Sequence, residues 1–204
     1  MKKIKILFSI LIILQLNLFT FSSVFSQEKK IDPTIEKGIG QYKHENYDEA
    51  LITLKKARSE DPKSTLAAYY LGLTYKQLQD YNEAIVHLKD AVTFSPKIKG
   101  ALIELIDCYY QIGELDEAKI WIREAEKEGI RPAQTAFLKG LILLKGAEEE
   151  KAITAFGKAK SLDKSMIPAC DYQIGICNLR ARKYVDARKA FEQVAVVDPS
   201  SNMA

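Results

Sequence analysis

Alanine recurs at Ala50, Ala84, Ala118, Ala152 and Ala187, at intervals of 34, 34, 34 and 35 residues. A fixed period of that length marks an array of stacked units rather than one globular core. Each alanine keeps the same company. Twelve residues before it stand Gly38, Gly72, Ile106, Gly140 and Gly175, and three before it Tyr47, Tyr81, Leu115, Glu149 and Tyr184. Four after it come Leu54, Leu88, Ile122, Phe156 and Phe191, then at seven Ala57, Ala91, Ala125, Ala159 and Val194. Twelve after it come Pro62, Pro96, Ile130, Lys164 and Pro199.

This template predicts two antiparallel helices per unit, so about ten helices in five units and an all-α chain. Large apolar residues at i, i+3, i+4 and i+7 form the stripe that each helix buries. The second unit shows it in Ala68, Leu71, Gly72 and Tyr75, then in Tyr81, Ala84, Leu88 and Ala91. Small residues let two helix backbones approach closely, so a bulky side chain at Gly72 or Ala84 should cost about 1–3 kcal/mol. Proline ends a pair by removing a backbone donor, and Ser64 offers a side-chain cap for the helix after it.

These residues resemble the tetratricopeptide repeat family. The resemblance spans residues 31–201 in units 31–64, 65–98, 99–132, 133–167 and 168–201, with 27–30 as a linker and 202–204 as a tail. It implies a right-handed α-solenoid of helix-turn-helix repeats. Departures fall in the fourth unit, with Glu149 for the aromatic and Lys164 for proline. In the fifth, Asp171 and Asn178 stand where the family faces its core, as a polar site or as a less strictly packed end unit. Trp121 precedes a core position and admits both a surface and a packing role.

Register within the family carries over an inward face that would hold a peptide. Its fifth positions are Ile35, Tyr69, Ile103, Phe137 and Tyr172. Its ninth are Ile39, Leu73, Asp107, Leu141 and Ile176, and its twelfth Tyr42, Lys76, Tyr110, Leu144 and Leu179. The thirteenth, Lys43, Gln77, Gln111, Lys145 and Arg180, would edge the groove with cations. Family members that grip carboxyl-terminal tails place Lys, Asn and Arg at the fifth and ninth positions. Nine apolar or aromatic residues and Asp107 stand there in this chain, so that carboxylate clamp is not expected.

The first 26 residues differ in kind. Lys2, Lys3 and Lys5 precede an apolar run from Ile6 to Leu14, and Val24, Phe25 and Ser26 precede Gln27, the pattern of a secretory signal peptide. Gln15 and Asn17 interrupt the run and argue against an uncleaved membrane span. Three of the chain's 30 Lys and Arg lie in this segment, so the remainder balances at 27 basic against 27 acidic residues. No basic footprint for nucleic acid is expected.

Cys170 and Cys177 are seven apart on one helix, about 10 Å along its axis, too far for a disulfide. Cys108 lies two units away from Cys177. His44 and His87 lack metal-ligand spacing, and no nucleophile motif occurs. No catalytic residue, metal or cofactor is therefore expected. These features together predict an exported, periplasmic or extracellular, noncatalytic scaffold that binds a protein partner's peptide segment, with no stable membrane insertion after cleavage. Two alternatives stand beside it. One is an assembly subunit that stacks end to end through its last repeat. The other is the recognition portion of a longer enzyme or wall-binding protein.

Overall fold

The computed structural model describes residues 31–95 and 98–197, with side chains through Val194. The expected signal segment, the linker, the tail, Pro96 and Pro199 lie outside them. Ten α-helices run through the described residues with no strand. The first pair is α1 (Pro33–Lys43) and α2 (Tyr47–Glu60), the second α3 (Thr65–Gln77) and α4 (Tyr81–Phe94), the third α5 (Lys99–Ile112) and α6 (Leu115–Lys127). The fourth is α7 (Pro132–Lys145) and α8 (Glu149–Leu162), and the fifth α9 (Ile167–Arg180) and α10 (Tyr184–Val197).

Helix starts follow local chemistry. The Asp32 carboxylate accepts from the Thr34 N–H at 2.8 Å, the Ser64 hydroxyl from the Ala67 N–H at 3.3 Å and Asp80 from the Glu83 N–H at 3.3 Å. Each satisfies a donor that a helix terminus leaves open. The turn inside every repeat has one form. A single left-handed residue closes each, at Glu45, Gln79, Gly113, Ala147 and Arg182. The following N–H reaches back to a helix carbonyl: Asn46 to Gln41 at 3.0 Å, Asp80 to Tyr75 at 2.9 Å, Glu114 to Tyr109 at 3.0 Å. The fourth and fifth repeats repeat it with Glu148 to Leu143 at 2.9 Å and Lys183 to Asn178 at 2.8 Å. These are Schellman-type closures. The 34-residue period is thus written into the backbone even where the residue type changes.

Small residues sit at the helix crossings as expected. A Cβ built on Gly38 or Gly72 would lie 2.7 Å from Leu54 or Leu88 of the paired helix. On Gly140 it would lie 2.5 Å from the Phe156 ring, and on Gly175 2.4 Å from that of Phe191. In the third repeat Ile106 takes this place, fully buried with Ile122, and its two helices share looser backbone contact than the other pairs.

Two repeats end without proline. After α6, Gly129 is left-handed at φ 61°. The Ile130 N–H donates to the Ala125 carbonyl at 2.9 Å, and the Ile130 side chain is buried in the core. A glycine closure plus an apolar anchor therefore replaces proline, and Pro132 then starts α7. After α8, Asp163 accepts from the Ser165 N–H at 2.9 Å, Lys164–Met166 form a 3-10 turn, and Pro168 stands in the first turn of α9.

The core is continuous from α2 into α7 and divided there. One cluster runs from Ala50 to Ile142. A second, from Ala136 to Cys177, holds the fourth and fifth repeats. All three cysteines are buried and free. Burial pushes the Cys108 thiol up to about 12 and those of Cys170 and Cys177 to about 11. Trp121 is half-buried against the first cluster. Asp171 is buried and paired with Lys160 of α8, which assigns it to the packing between the last two repeats, and Asn178 is buried two turns further along α9.

Candidate functional site

First helices of neighbouring repeats touch along the array: α1 with α3, α3 with α5, α5 with α7, α7 with α9. Second helices of neighbouring repeats approach less closely, meeting through long side chains such as Arg58 of α2 and Asp90 of α4. A stack in contact along one set of helices and splayed along the other curves with the contacting set inside. The inner face is therefore built from α1, α3, α5, α7 and α9, which carry the residues taken from family register.

Their exposure divides them. Ile35, Leu73, Ile103 and Leu144 are buried, because neighbouring first helices close over them, and they support the face rather than offering contacts. Ile39, Tyr42, Tyr69, Tyr110, Phe137, Leu141, Tyr172 and Ile176 are half-buried. Leu179 is 47% exposed.

Two zones differ along this face. Toward the first repeat, tyrosines interlock: Tyr42 meets Tyr70 edge-on at 5.6 Å and Tyr69 meets Tyr70 at 5.4 Å between ring centroids. Burial raises the hydroxyl pKa of Tyr42, and burial with Glu104 nearby raises that of Tyr69, so both remain neutral donors. Lys76 lies 2.6 Å from Glu104 and 2.5 Å from Asp107. Its ammonium is held charged by these two carboxylates against the opposing effect of burial. Toward the fifth repeat the face is apolar. Phe137 leans on Phe156 at 5.4 Å, and Tyr172 on Phe191 at 5.8 Å. The aromatics inserted at the glycine crossings thus hold the inner-face rings in place.

The expected cationic edge is largely absorbed by the fold. Lys145 donates to the Tyr110 carbonyl at 2.7 Å and sits 4.6 Å over that ring. Arg180 donates to the Leu144 carbonyl at 2.8 Å and pairs with Glu149 at 3.3 Å. Each cation caps the first helix of the preceding repeat, stitching neighbours together. Glu149, the departure from the aromatic template, is the partner of one of them. Sequence reasoning passed over Glu104, although its spacing of three from Asp107 on an apolar helix was legible. Among the described residues, no cluster of His, Cys, Asp and Glu suits a metal, and no helix is long and apolar enough to cross a membrane.

Family models described as Tetratricopeptide repeat match residues 35–97 and 75–129. Among solved structures, MamA (residue 41 to the end) from Desulfovibrio magneticus RS-1 superposes with a TM-score of 0.74 at 20% identity, over 84% of this chain and 99% of that one. TTC0263, a thermophilic tetratricopeptide protein of Thermus thermophilus, gives 0.64 at 22% identity, over 82% and 91%. YrrB, described as a tetratricopeptide protein with an unusual peptide-binding site, gives 0.70 at 15% identity, over 90% and 94%. No curated protein matches the chain. The repeated crossings, the uniform turns and these likenesses converge: the chain is an all-α solenoid of stacked helix pairs with the fold of these structures, and its residues 35–129 match the tetratricopeptide repeat models.

Proposed function

We propose that the chain is a noncatalytic scaffold of the cell envelope that holds a peptide segment of a partner protein along its inner face. The row Tyr69, Phe137, Leu141, Tyr172, Ile176 and Leu179, left partly open after the helices have packed, carries this reading. Half-buried aromatics on rigid helices bring contact area at low ordering cost, because the stack is ordered before the partner arrives. The description of YrrB, a protein of the same fold, supports a peptide ligand. Export rests on the basic and apolar pattern of the first 26 residues.

Replacing Tyr69, Phe137 and Tyr172 together by serine, with helicity checked by circular dichroism, should abolish capture of the partner from envelope extracts. Capture undiminished in the fully helical variant removes the inner face from the reading. Mass spectrometry of the exported chain should give an N-terminus at Gln27, and one still at Met1 in the membrane fraction contradicts cleavage.

Self-association through the last repeat has its own observation. Tyr184 is 64% exposed, whereas its counterparts Tyr47 and Tyr81 are half-buried. Dimerisation that is lost in Tyr184→Lys, measured by light scattering across concentrations, would favour that role.

A further inference from the structure

The junctions between repeats are not filled alike. Between the second and third repeats, α4 presents Ile85 and Val92, α5 presents Leu102 and Leu105, and α6 adds Trp121, all in or against one core cluster. The same five register positions one repeat later are Lys119, Glu126, Ala136, Lys139 and Ala155. Bulk has moved by one residue along the second helix, from Trp121–Ile122 to Ala155–Phe156. One residue is about 100° of helix rotation, so the large ring leaves the junction and turns into the helix crossing, where Gly140 makes room for it. A cleft remains between α6 and α8, floored by α7, with adjoining cavities of about 350 and 290 Å³.

The walls of this cleft are regular. Lys119, Ile122, Arg123 and Glu126 line it from α6, and Lys151, Thr154, Ala155 and Lys158 from α8. Both sets follow i, i+3, i+4, i+7 spacing, one face of each helix. Its cations Lys119, Arg123, Lys139, Lys151 and Lys158 outnumber its two carboxylates, Glu126 and Glu148. Lys139 pairs with Glu126 at 2.9 Å, and Glu148 is shared between Lys119 at 3.0 Å and Lys151 at 2.7 Å. Arg123 and Lys158, on opposite walls, have no ion-pair partner among the described residues. The cavity between the second and third repeats instead carries Glu124 and Glu128 against Lys99.

We propose that the cleft between α6 and α8 binds an acidic, amphipathic helical segment of a partner protein. Carboxylates on that segment complement Arg123 and Lys158. An apolar side chain between them packs on Ala155, Leu143 and the lysine stems, as a helix lies in a groove. The matched faces of α6 and α8 offer about two helical turns, roughly 10 Å. This site lies on the outer side of the array and does not depend on the inner face.

The probe is a fluorescein-labelled fourteen-residue helical peptide with Glu and Leu on one face, followed by anisotropy and compared with the same peptide carrying Gln for Glu. The expected result is binding of the Glu peptide that weakens at least about tenfold in an R123E/K158E variant and falls with added salt. Both substituted residues are exposed, so circular dichroism should be unchanged. Ala155→Trp, which fills the cleft, should weaken binding without reversing charge, while the triple serine variant of the inner face should bind normally. Absence of binding, equal binding of the Gln peptide, affinity unchanged in R123E/K158E, or loss confined to the triple serine variant would each overturn the proposal.

Discussion

The third and fourth repeats follow one template and solve it in opposite ways. The third has Ile106 against Ile122 at its crossing, Trp121 at its junction with the second repeat and Gly113 at its turn. The fourth has Gly140 against Phe156, Ala155 at the junction and Ala147 at the turn. Glycine and bulk have exchanged places. Repeat geometry therefore constrains the sum of volumes at each contact rather than the residue on either side, as close packing requires. The consequence is a junction packed with large apolar side chains on one side of α6 and one lined by alanine and cations on the other.

Removing the bulk that distinguishes the third repeat should have the largest effect. Trp121→Ala leaves a void against the first core cluster and should cost about 3 kcal/mol, the lower end for such truncations because the ring is half-buried. The urea midpoint measures it. An unchanged midpoint would show that the indole contributes no packing and that the contrast between junctions is one of charge alone. Adding bulk where the fourth repeat lacks it comes next. Gly140→Ala places a methyl 2.5 Å from Phe156 and should cost about 2 kcal/mol. The same methyl at Gly40, with nothing within 4 Å, should be neutral or slightly stabilising through helix propensity.

The position of Trp121 and Ala155 is held in the second repeat by His87, which stacks on Tyr75 at 5.4 Å. Burial, and then the Arg58 guanidinium, lower its pKa below the usual histidine value. The unfolded chain therefore takes up the proton first. Stability contributed here is full above the unfolded value of about 6.5 and declines as pH falls from there toward the lower folded value. His87→Phe should flatten that part of the melting-temperature profile between pH 7.5 and 5. A profile identical to the parent's would place the acid sensitivity elsewhere.

What could be read from the sequence tracks the size of the energy involved. Crossings were legible at Gly72 and Ala84 because a misplaced side chain there costs several times the thermal energy, so few residue types fit. The inner face was legible as a row of positions but not as a surface. Burial of Ile35, Leu73, Ile103 and Leu144 depends on how closely adjacent first helices lie, which no single repeat encodes. Lys145 and Arg180 read as free cations, although helix geometry brings each within reach of a carbonyl one repeat away. The outer cleft was hidden for a further reason. Ala155 and Ala136 look like ordinary template alanines until register sets them against Trp121 and Leu102.

The turns gave no signal at all, and they supply the smallest test of the contrast. Glu45, Gln79, Gly113, Ala147 and Arg182 share a positive φ, with Gly113 at 85° and Ala147 at 58°. A side chain in this region costs about 1 kcal/mol relative to glycine, too little to force glycine into every repeat. Ala147→Gly should therefore stabilise the array by somewhat less than about 1 kcal/mol, since the unfolded chain also gains freedom, and Gly113→Ala should destabilise it by a similar amount. The exchange of both residues together should return the midpoint close to its starting value, because the Gly113 and Ala147 N–H groups close onto different carbonyls, those of Tyr110 and Leu144. A double variant differing from the parent by more than about 0.5 kcal/mol would mean that the two turns are coupled through the junction between them, and that the third and fourth repeats respond as one cooperative unit.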